Sequence, residues 1–210
     1  MISEEEKKLY KISGDNTLAE KGYASLEVFL NIYEDFFKDL DLRKKTILEF
    51  GSGRFEMAEV FKKHGAVYTG IDKSLGVYNV GDSRGFRMYR QDYKNNPLKV
   101  IVDSFDGIFC RESVNAFWYL DDDNHVNQVR KWCRTLRDNG WGWILPCNHV
   151  PTSIVISDWD IFRVLDIQIR AFQSAGFRCL HLPRMLAERY GQQKNVINTP
   201  LFIKNLEVPT

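Results

Sequence analysis

Two short stretches of the sequence combine glycines with carboxylates in a way that suits ligand binding. The stretch Glu49–Gly53 has the sequence EFGSG and ends an apolar run, and Asp72 ends the next apolar run. Because glycine lacks a Cβ, both glycines allow a sharp turn and a close approach of a ligand to the backbone. A carboxylate at the carboxyl end of a parallel strand can accept both hydroxyls of a ribose. These residues therefore predict a site for a ligand that contains ribose.

The segments around these residues predict the elements that must position them. Thr46–Phe50 is an apolar, β-branched run of the kind that forms a buried parallel strand. Arg54–His64 carries apolar residues at helical spacing, and Gly65 is placed as its C-cap. Ala66–Ile71 predicts a second strand. The order strand, glycine turn, helix and strand is that of one nucleotide-binding half of a doubly wound sheet.

The glycine turn resembles motif I of the class I S-adenosylmethionine-dependent methyltransferases, in which an acid precedes the turn. The matching residues are Glu49–Phe55, sequence EFGSGRF, and the chain departs from the motif at Phe55, where the family often has glycine. The dinucleotide fingerprint G-x-G-x-x-G matches less well, since Glu56 occupies its third glycine position. Nearby carboxylates repel a pyrophosphate but attract the ammonium group of methionine.

The resemblance covers roughly Thr46 to Asn205 and implies a fold. It implies a doubly wound, Rossmann-like α/β sheet of seven strands, with the last strand antiparallel and helices on both faces. Residues 46–210 would form the S-adenosylmethionine-binding domain. Residues 1–45 would form a helical lid segment in a protein that is a single domain overall, with Tyr10, Tyr23 and Tyr33 as candidate lid aromatics. Tyr33 fits plain core packing as well.

S-adenosylmethionine is the cofactor that the resemblance implies, with S-adenosylhomocysteine as the product. The amino acid moiety would lie along Glu49–Gly53, the ribose on Asp72, and the adenine amine near Asp92. On residue type alone, Asp92 is equally consistent with a turn ahead of Pro97. The predicted cofactor-binding residues are Glu49, Gly51, Ser52, Gly53, Asp72, Lys73, Gln91, Asp92, Tyr93 and Arg111.

A second group of candidate residues follows the fourth and fifth predicted strands. Phe105–Cys110 predicts the fourth strand, and the stretch after it, Arg111–Tyr119, is predicted as a loop with polar groups and then aromatics at the switch point of the sheet. The predicted walls of the acceptor pocket are Phe117, Trp118, Tyr119, Asn148 and Tyr23. The three consecutive aromatics are also consistent with core packing.

Two residues are candidate catalytic bases. His149 follows the fifth predicted strand, Gly142–Leu145, at the edge where a methyl group would be presented. Glu112 follows the fourth strand and could instead orient a substrate hydroxyl or contact the cofactor. The alternative for His149 is a loop cap before Pro151, and many enzymes of the resembled family need no base.

Helix and loop boundaries elsewhere come from glycines and from the hydrophobic pattern. Leu26–Leu40 predicts one long amphipathic helix. Gly76, Gly81 and Gly85 predict an abbreviated crossover after Asp72, with at most a brief helix. The pair Asn139-Gly140 predicts the end of a helix. Phe177–Leu182 and Pro200–Lys204 predict the last two strands.

The composition limits the class of protein. Hydrophobic residues make up 44% and charged residues 27% of the 210 residues, and the formal net charge is +1. This is typical of a globular domain and gives no general attraction to nucleic acid or to an anionic membrane. No apolar run could span a membrane, the charged N-terminus does not resemble a signal peptide, and the four cysteines lack metal-site spacing. We expect a cytoplasmic protein without a metal ion, and the sequence does not indicate its oligomeric state.

The leading functional hypothesis is transfer of a methyl group from S-adenosylmethionine to oxygen or nitrogen of a small molecule. One alternative is a methyltransferase-like binding or partner protein without turnover, which Phe55 and the short crossover favour. Another is a nicotinamide-dependent dehydrogenase, which Asp72 favours and Glu56 opposes.

Overall fold

A computed structural model describes residues 2–22, 24–92, 104–115, 122–147, 158–190 and 199–204. The strands are β1 (Thr46–Phe50), β2 (Val67–Asp72), β3 (Arg87–Arg90), β4 (Phe105–Asn115), β5 (Leu136–Cys147), β6 (Phe177–Leu180) and β7 (Leu201–Lys204). They form one seven-stranded sheet in the order β3-β2-β1-β4-β5-β7-β6. Strands β1, β2 and β3 pair in parallel, as do β4 and β5, whereas β7 is antiparallel to β5 and β6. The predicted doubly wound sheet with an antiparallel last strand is confirmed.

Three helices precede β1, and the others lie between strands. The helices are α1 (Glu4–Ile12), α2 (Asn16–Glu20), α3 (Leu26–Ile32), α4 (Glu56–Lys63), α5 (Leu75–Ser83), α6 (Asp122–Cys133), α7 (Asp158–Ser174) and α8 (Arg184–Ala187). A π-helical turn, Tyr33–Phe37, continues α3, and a 3-10 turn, Glu188–Tyr190, follows α8. In the described ranges, none of these helices has the length and apolar character needed to cross a membrane.

The chain divides into two compact units, residues 1–98 and 99–210. The first unit contains α1 to α5 and β1 to β3. Its helix α4 is amphipathic and buries Met57, Ala58, Val60 and Phe61. Burying a side chain of the size of Met or Phe contributes about 1.5–3 kcal/mol, so this face holds α4, and the turn before it, in place. The second unit contains α6 to α8 and β4 to β7, and in its core Phe172 stacks on Phe202 with 4.0 Å between ring centroids.

The crossover between β2 and β3 differs from the prediction, since α5 is a regular helix of nine residues. Its glycines are required by close packing instead of by a turn. A Cβ on Gly76 would lie 2.8 Å from the carbonyl oxygen of Leu9, and a Cβ on Gly81 would lie 2.7 Å from Cζ of Phe55. The expectation of an abbreviated crossover was therefore wrong, because a glycine that admits a neighbour looks in sequence like a glycine that breaks a helix.

Two strands of the second unit are longer than predicted. Residues Arg111–Asn115 extend β4 instead of forming a loop, and Asn139-Gly140 lies inside β5 instead of ending a helix. Helix α6 ends earlier, at Cys133. The register of β4 and β5 shifts between Phe105 and Gly107, and Asn139 has a left-handed φ of 65° within that irregularity. Four residues of β5, 137–140, lie opposite one residue of β4 at this irregularity, which explains why a turn signal occurs within a strand.

Candidate functional site

The turn between β1 and α4 adopts the sharp geometry that its glycines predict. Gly51 and Gly53 have φ values of 73° and 52°, in the left-handed region where glycine is favoured. The amide of Gly51 donates to the carbonyl of Ile71 at 2.8 Å, and the amide of Phe55 donates to the carbonyl of Ser52 at the same distance. The turn is thereby held beside the carboxyl end of β2, where Asp72 lies.

Phe55, which replaces the third glycine of motif I, keeps the backbone conformation of a glycine. Phe55 has a φ of 68°, which is unusual for a bulky residue, and its side chain is fully buried. Its ring lies edge-on to that of Tyr68, with 6.5 Å between centroids. The departure from the motif therefore changes the packing under the turn, while the path of the turn is retained.

The carboxylate of Asp72 is held by backbone amides next to the glycine turn. Oδ1 accepts from the amide of Ser74 at 2.9 Å, and a backbone hydrogen bond from Gly53 also lowers the pKa of the carboxyl. Burial outweighs both effects and raises the pKa of Asp72 to about 6. The side chain is therefore already oriented at the strand end, as a ribose-binding carboxylate would have to be.

Glu49 lies on the other side of the turn in a buried hydrogen-bond chain. The Tyr68 hydroxyl oxygen lies 2.5 Å from Oε2 of Glu49 and 2.7 Å from Oγ of Ser52. Since a hydroxyl carries one proton, Tyr68 donates to the carboxylate and accepts from Ser52. Burial raises the pKa of Glu49 well above its usual range, and the Tyr68 hydrogen bond opposes this increase.

A third carboxylate, that of Glu56, opens α4 directly after the turn. Burial raises its pKa, while the backbone amide of Glu56 and the positive charges of Arg54 and Arg84 lower it. Three buried or half-buried carboxylates thus surround one glycine turn, and Glu56 and Asp72 both raise the pKa of Glu49. A cationic ligand would relieve this repulsion, whereas a pyrophosphate would increase it.

The N-terminal helices contact the turn directly. The Tyr10 hydroxyl, on a fully buried side chain, donates to the carbonyl of Gly53 at 3.0 Å. Ser74 donates through Oγ to the carboxylate of Asp15. Arg54 donates through Nε to the carbonyl of Leu18 at 2.5 Å. These contacts add Tyr10, Asp15 and Arg54 to the surroundings of the site, and of the three only Tyr10 was a candidate from the sequence.

The remaining predicted cofactor residues lie at different places. Gln91 is buried, and its backbone amide donates to the carbonyl of Asp72 at 2.9 Å. Strand β3 therefore ends beside the end of β2, where Asp72 lies. Asp92 follows Gln91, and Lys73 is exposed. Arg111 belongs to β4, in the second compact unit.

Several predicted residues carry no described geometry. Glu112 lies in β4, but its side chain is outside the described part of the structure. The residues that lie outside the described ranges altogether are Tyr23, Tyr93, Phe117, Trp118, Tyr119, Asn148 and His149. Within the described ranges, no cluster of three or more histidine, cysteine or acidic side chains could hold a metal ion.

Residues 48–144, just under half of the chain, match a family model described as a methyltransferase domain. Over this segment the chain is similar to methyltransferase domains. This match confirms the resemblance seen in the glycine turn. The matched residues include the glycine turn, Asp72 and the strands β2, β3 and β4.

Solved structures share the fold of the methyltransferase domain. A TehB-like S-adenosylmethionine-dependent methyltransferase from Corynebacterium glutamicum is 15% identical, with a TM-score of 0.56, over 97% of this chain and 100% of that one. The sugar N-methyltransferase KedS8 from Streptoalloteichus is 13% identical, with a TM-score of 0.55, over 98% and 94%. Phosphoethanolamine N-methyltransferase 1 from Haemonchus contortus, in complex with phosphoethanolamine and S-adenosylhomocysteine, is 14% identical, with a TM-score of 0.57, over 97% and 49%.

These identities are low, so the similarity to solved structures extends to the fold and leaves the acceptor open. None of the curated protein sequences matches this chain. The identity of the methyl acceptor must therefore be argued from the residues themselves.

Proposed function

We propose that this protein transfers the methyl group of S-adenosylmethionine to an oxygen or nitrogen atom of a small molecule. The observation that carries the proposal is the Asp72 carboxylate, held by backbone amides beside the turn formed by Gly51 and Gly53. When bound, the cofactor supplies an already activated methyl group. The chain's own residues then need mainly to hold the acceptor in line with it, a proximity effect that can supply several kcal/mol, on the order of 7–11 kcal/mol in the most favourable cases.

The proposed cofactor contacts follow from the charges around the turn. Asp72 would accept the two ribose hydroxyls, and the carboxylates near the turn would attract the ammonium group. The three neighbouring carboxylates support this cationic cofactor over a nicotinamide dinucleotide, because a pyrophosphate would lie against Glu49 and Glu56. Gln91 and Asp92, at the end of β3, are proposed for the adenine.

The acceptor side of the proposal rests on residue types. Phe117, Trp118 and Tyr119 would wall the acceptor, together with Asn148 and Tyr23, so a partly flat or apolar small molecule is the proposed substrate. His149 or Glu112 would take the proton that an oxygen or ammonium acceptor loses around methyl transfer. The net charge of +1 supports a small-molecule acceptor over a nucleic acid.

A protein that binds the cofactor without turnover is a second candidate, favoured by one observation. The buried Phe55 ring fills space under the turn that a glycine would leave open. The short crossover that was expected after Asp72 no longer favours this candidate, because α5 is a regular helix. Methyl incorporation from labelled S-adenosylmethionine into a panel of small amines and alcohols would distinguish an enzyme from a binder.

Calorimetry on the purified chain tests the cofactor assignment. S-adenosylmethionine should bind and NADH should not. Asp72→Ala should weaken S-adenosylmethionine binding by about tenfold or more, because hydrogen bonds to a charged group are worth roughly 1.5–3 kcal/mol. Asp82→Ala, at an exposed position in the last turn of α5, is the matched control and should bind like the wild type. Unchanged affinity of a folded Asp72→Ala variant would overturn the assignment.

A further inference from the structure

The Tyr68 hydroxyl joins the acid that precedes the glycine turn to the turn itself. Its oxygen lies 2.5 Å from Oε2 of Glu49 and 2.7 Å from Oγ of Ser52. All three side chains are buried, so water has little access to the hydrogen bonds between them. A buried carboxylate takes the direction that its hydrogen-bond donor sets. Tyr68, which lies on β2, therefore orients the carboxylate of Glu49 on β1.

The ring of Tyr68 is fixed by its own surroundings. It makes edge-on contacts with the rings of Phe55 and Phe86, with 6.5 and 5.0 Å between centroids. Gly70, two residues further along the same face of β2, leaves room for the chain of hydrogen bonds. A Cβ at this glycine would lie 2.3 Å from Oγ of Ser52. The packing of the first unit thus holds the Tyr68 hydroxyl at a defined place between its two partners.

The hydrogen bond from Tyr68 also supports the charge of Glu49. Burial raises the pKa of Glu49, and the hydrogen bond from Tyr68 lowers it. The nearby carboxylates of Glu56 and Asp72 raise this pKa as well. A hydroxyl that donates to the carboxylate favours its charged form in an environment that otherwise opposes the charge. Both the direction and the charge of Glu49 therefore depend on one oxygen atom of Tyr68.

We propose that Tyr68 is a positioning residue whose hydroxyl holds the Glu49 carboxylate in place for the ammonium group of the methionine moiety. The inference rests on the proposed function, since it concerns the same cofactor. A carboxylate that is oriented before the ligand arrives loses less freedom on binding, so the affinity for the ligand increases. In this role Tyr68 acts through Glu49 and needs no contact with the cofactor.

The test compares two ligands that differ only in the ammonium group. Calorimetry measures the affinities for S-adenosylhomocysteine and for its deaminated analogue. The wild type should bind S-adenosylhomocysteine about tenfold or more tightly than the analogue, the usual worth of a charged hydrogen bond. Tyr68→Phe should lose most of this preference through weaker binding of S-adenosylhomocysteine, whereas its binding of the analogue should not weaken. The variant keeps the ring that packs against Phe55 and Phe86, so it should fold.

A double-mutant cycle separates positioning from a structural role. Glu49→Gln removes the charge but keeps an oxygen that can accept from Tyr68, and it should lose the same preference. Adding Tyr68→Phe to Glu49→Gln should then cause little further loss of S-adenosylhomocysteine affinity, because Tyr68 acts through the charge that is already missing. Tyr89→Phe is the matched control, since the Tyr89 hydroxyl accepts from Arg87 on β3. It should keep the wild-type preference.

The possible results distinguish the inference from the proposed function. A Tyr68→Phe variant that keeps the wild-type preference would overturn the inference, and so would a wild type that has none. Equal loss of both ligands in Tyr68→Phe, or losses that add in full in the double variant, would also overturn it, because Tyr68 would then only support the packing around the turn. A wild type that binds neither S-adenosylmethionine nor S-adenosylhomocysteine would instead refute the proposed function.

Discussion

Phe55 stacks on Phe86 with 5.3 Å between ring centroids, although its own backbone lies in the left-handed region with a φ of 68°. The ring lies so close to α5 that a Cβ on Gly81 would be 2.7 Å from its Cζ. The strain of an L-residue in this conformation, of order 1–3 kcal/mol, is offset by burial of the ring, which is worth about as much or more. The position thus couples the shape of the glycine turn to the packing of α5.

Substitutions at Phe55 should show both contributions. Phe55→Ala should destabilise the protein by about 3–5 kcal/mol, since it leaves a cavity and keeps the strained backbone. Phe55→Gly should be the more stable of the two by roughly 1 kcal/mol, because only glycine adopts a positive φ freely. Urea denaturation of both variants measures the difference. A less stable Phe55→Gly would contradict the left-handed conformation at this residue.

Tyr68→Phe should make stability depend more strongly on pH. The variant keeps the ring but removes the hydroxyl that donates to Glu49 at 2.5 Å. That donor stabilises the carboxylate, so its loss should raise the pKa of Glu49 further. We expect the loss of stability to be larger at pH 9 than at pH 5, as measured by urea denaturation, because the lost hydrogen bond favours the charged form of Glu49.

Tyr10→Phe is the control for that experiment. Its hydroxyl is also buried in the first unit, but it donates to the carbonyl of Gly53, a group that does not titrate. The stability that this variant loses should be the same at both pH values. A pH-independent loss in Tyr68→Phe as well would show that Glu49 is not the acceptor that matters.

Asp72 should reduce the stability of the ligand-free protein as the pH rises. Burial raises the pKa of Asp72 from 3.8 to about 6, so between these values the native state retains a proton that the unfolded chain has released. The contribution of Asp72 to the free energy of unfolding is therefore greatest below the pKa that it has in the unfolded chain. It decreases as the pH rises through the pKa of the folded state, by on the order of 3 kcal/mol in total. Asp72→Asn should remove this decline while weakening cofactor binding.

Chemical denaturation at pH 4, 5, 6 and 7 measures that difference. The gap in unfolding free energy between Asp72→Asn and the wild type should shift in favour of the variant across this range. Asp82→Asn, in the exposed last turn of α5, should follow the wild type. A parallel decline in both Asp72→Asn and the wild type would assign the pH dependence to other carboxylates, such as Glu49 and Glu56.

His149→Gln tests the proposed catalytic base. If His149 takes the proton of the acceptor, the variant should lower kcat by about 10²-fold or more and abolish a kinetic pKa near neutrality. Cofactor affinity measured by calorimetry should not change. A variant with wild-type kcat from pH 6 to pH 9 would leave proximity as the main source of catalysis.

The unit from β1 to β2 could be predicted because its signals are local. Apolar runs mark β1 and β2, the spacing of Met57, Val60 and Phe61 marks α4, and glycines mark the turn between them. Each of these signals acts within a few residues of the chain, so Asp72 could be placed at the strand end and beside the turn without tertiary information.

Glycine and asparagine were less informative where packing decides the backbone. Gly76 and Gly81 lie within α5, and Asn139 lies inside β5, although all three resemble turn or stop signals. The neighbours that require the two glycines, Leu9 and Phe55, are distant from them in sequence. A residue that is small because another chain segment must approach it has no local signature.

The surroundings of the turn were decided by tertiary structure alone. Tyr10 and Gly53 are 43 residues apart, Asp15 and Ser74 are 59 apart, and Arg54 and Leu18 are 36 apart, yet each pair is hydrogen-bonded. The sequence established that a glycine turn with carboxylates exists. Only the fold brought α1 and α2 onto it and buried the charges, because desolvation and long-range hydrogen bonds depend on which segments meet in space and not on their order along the chain.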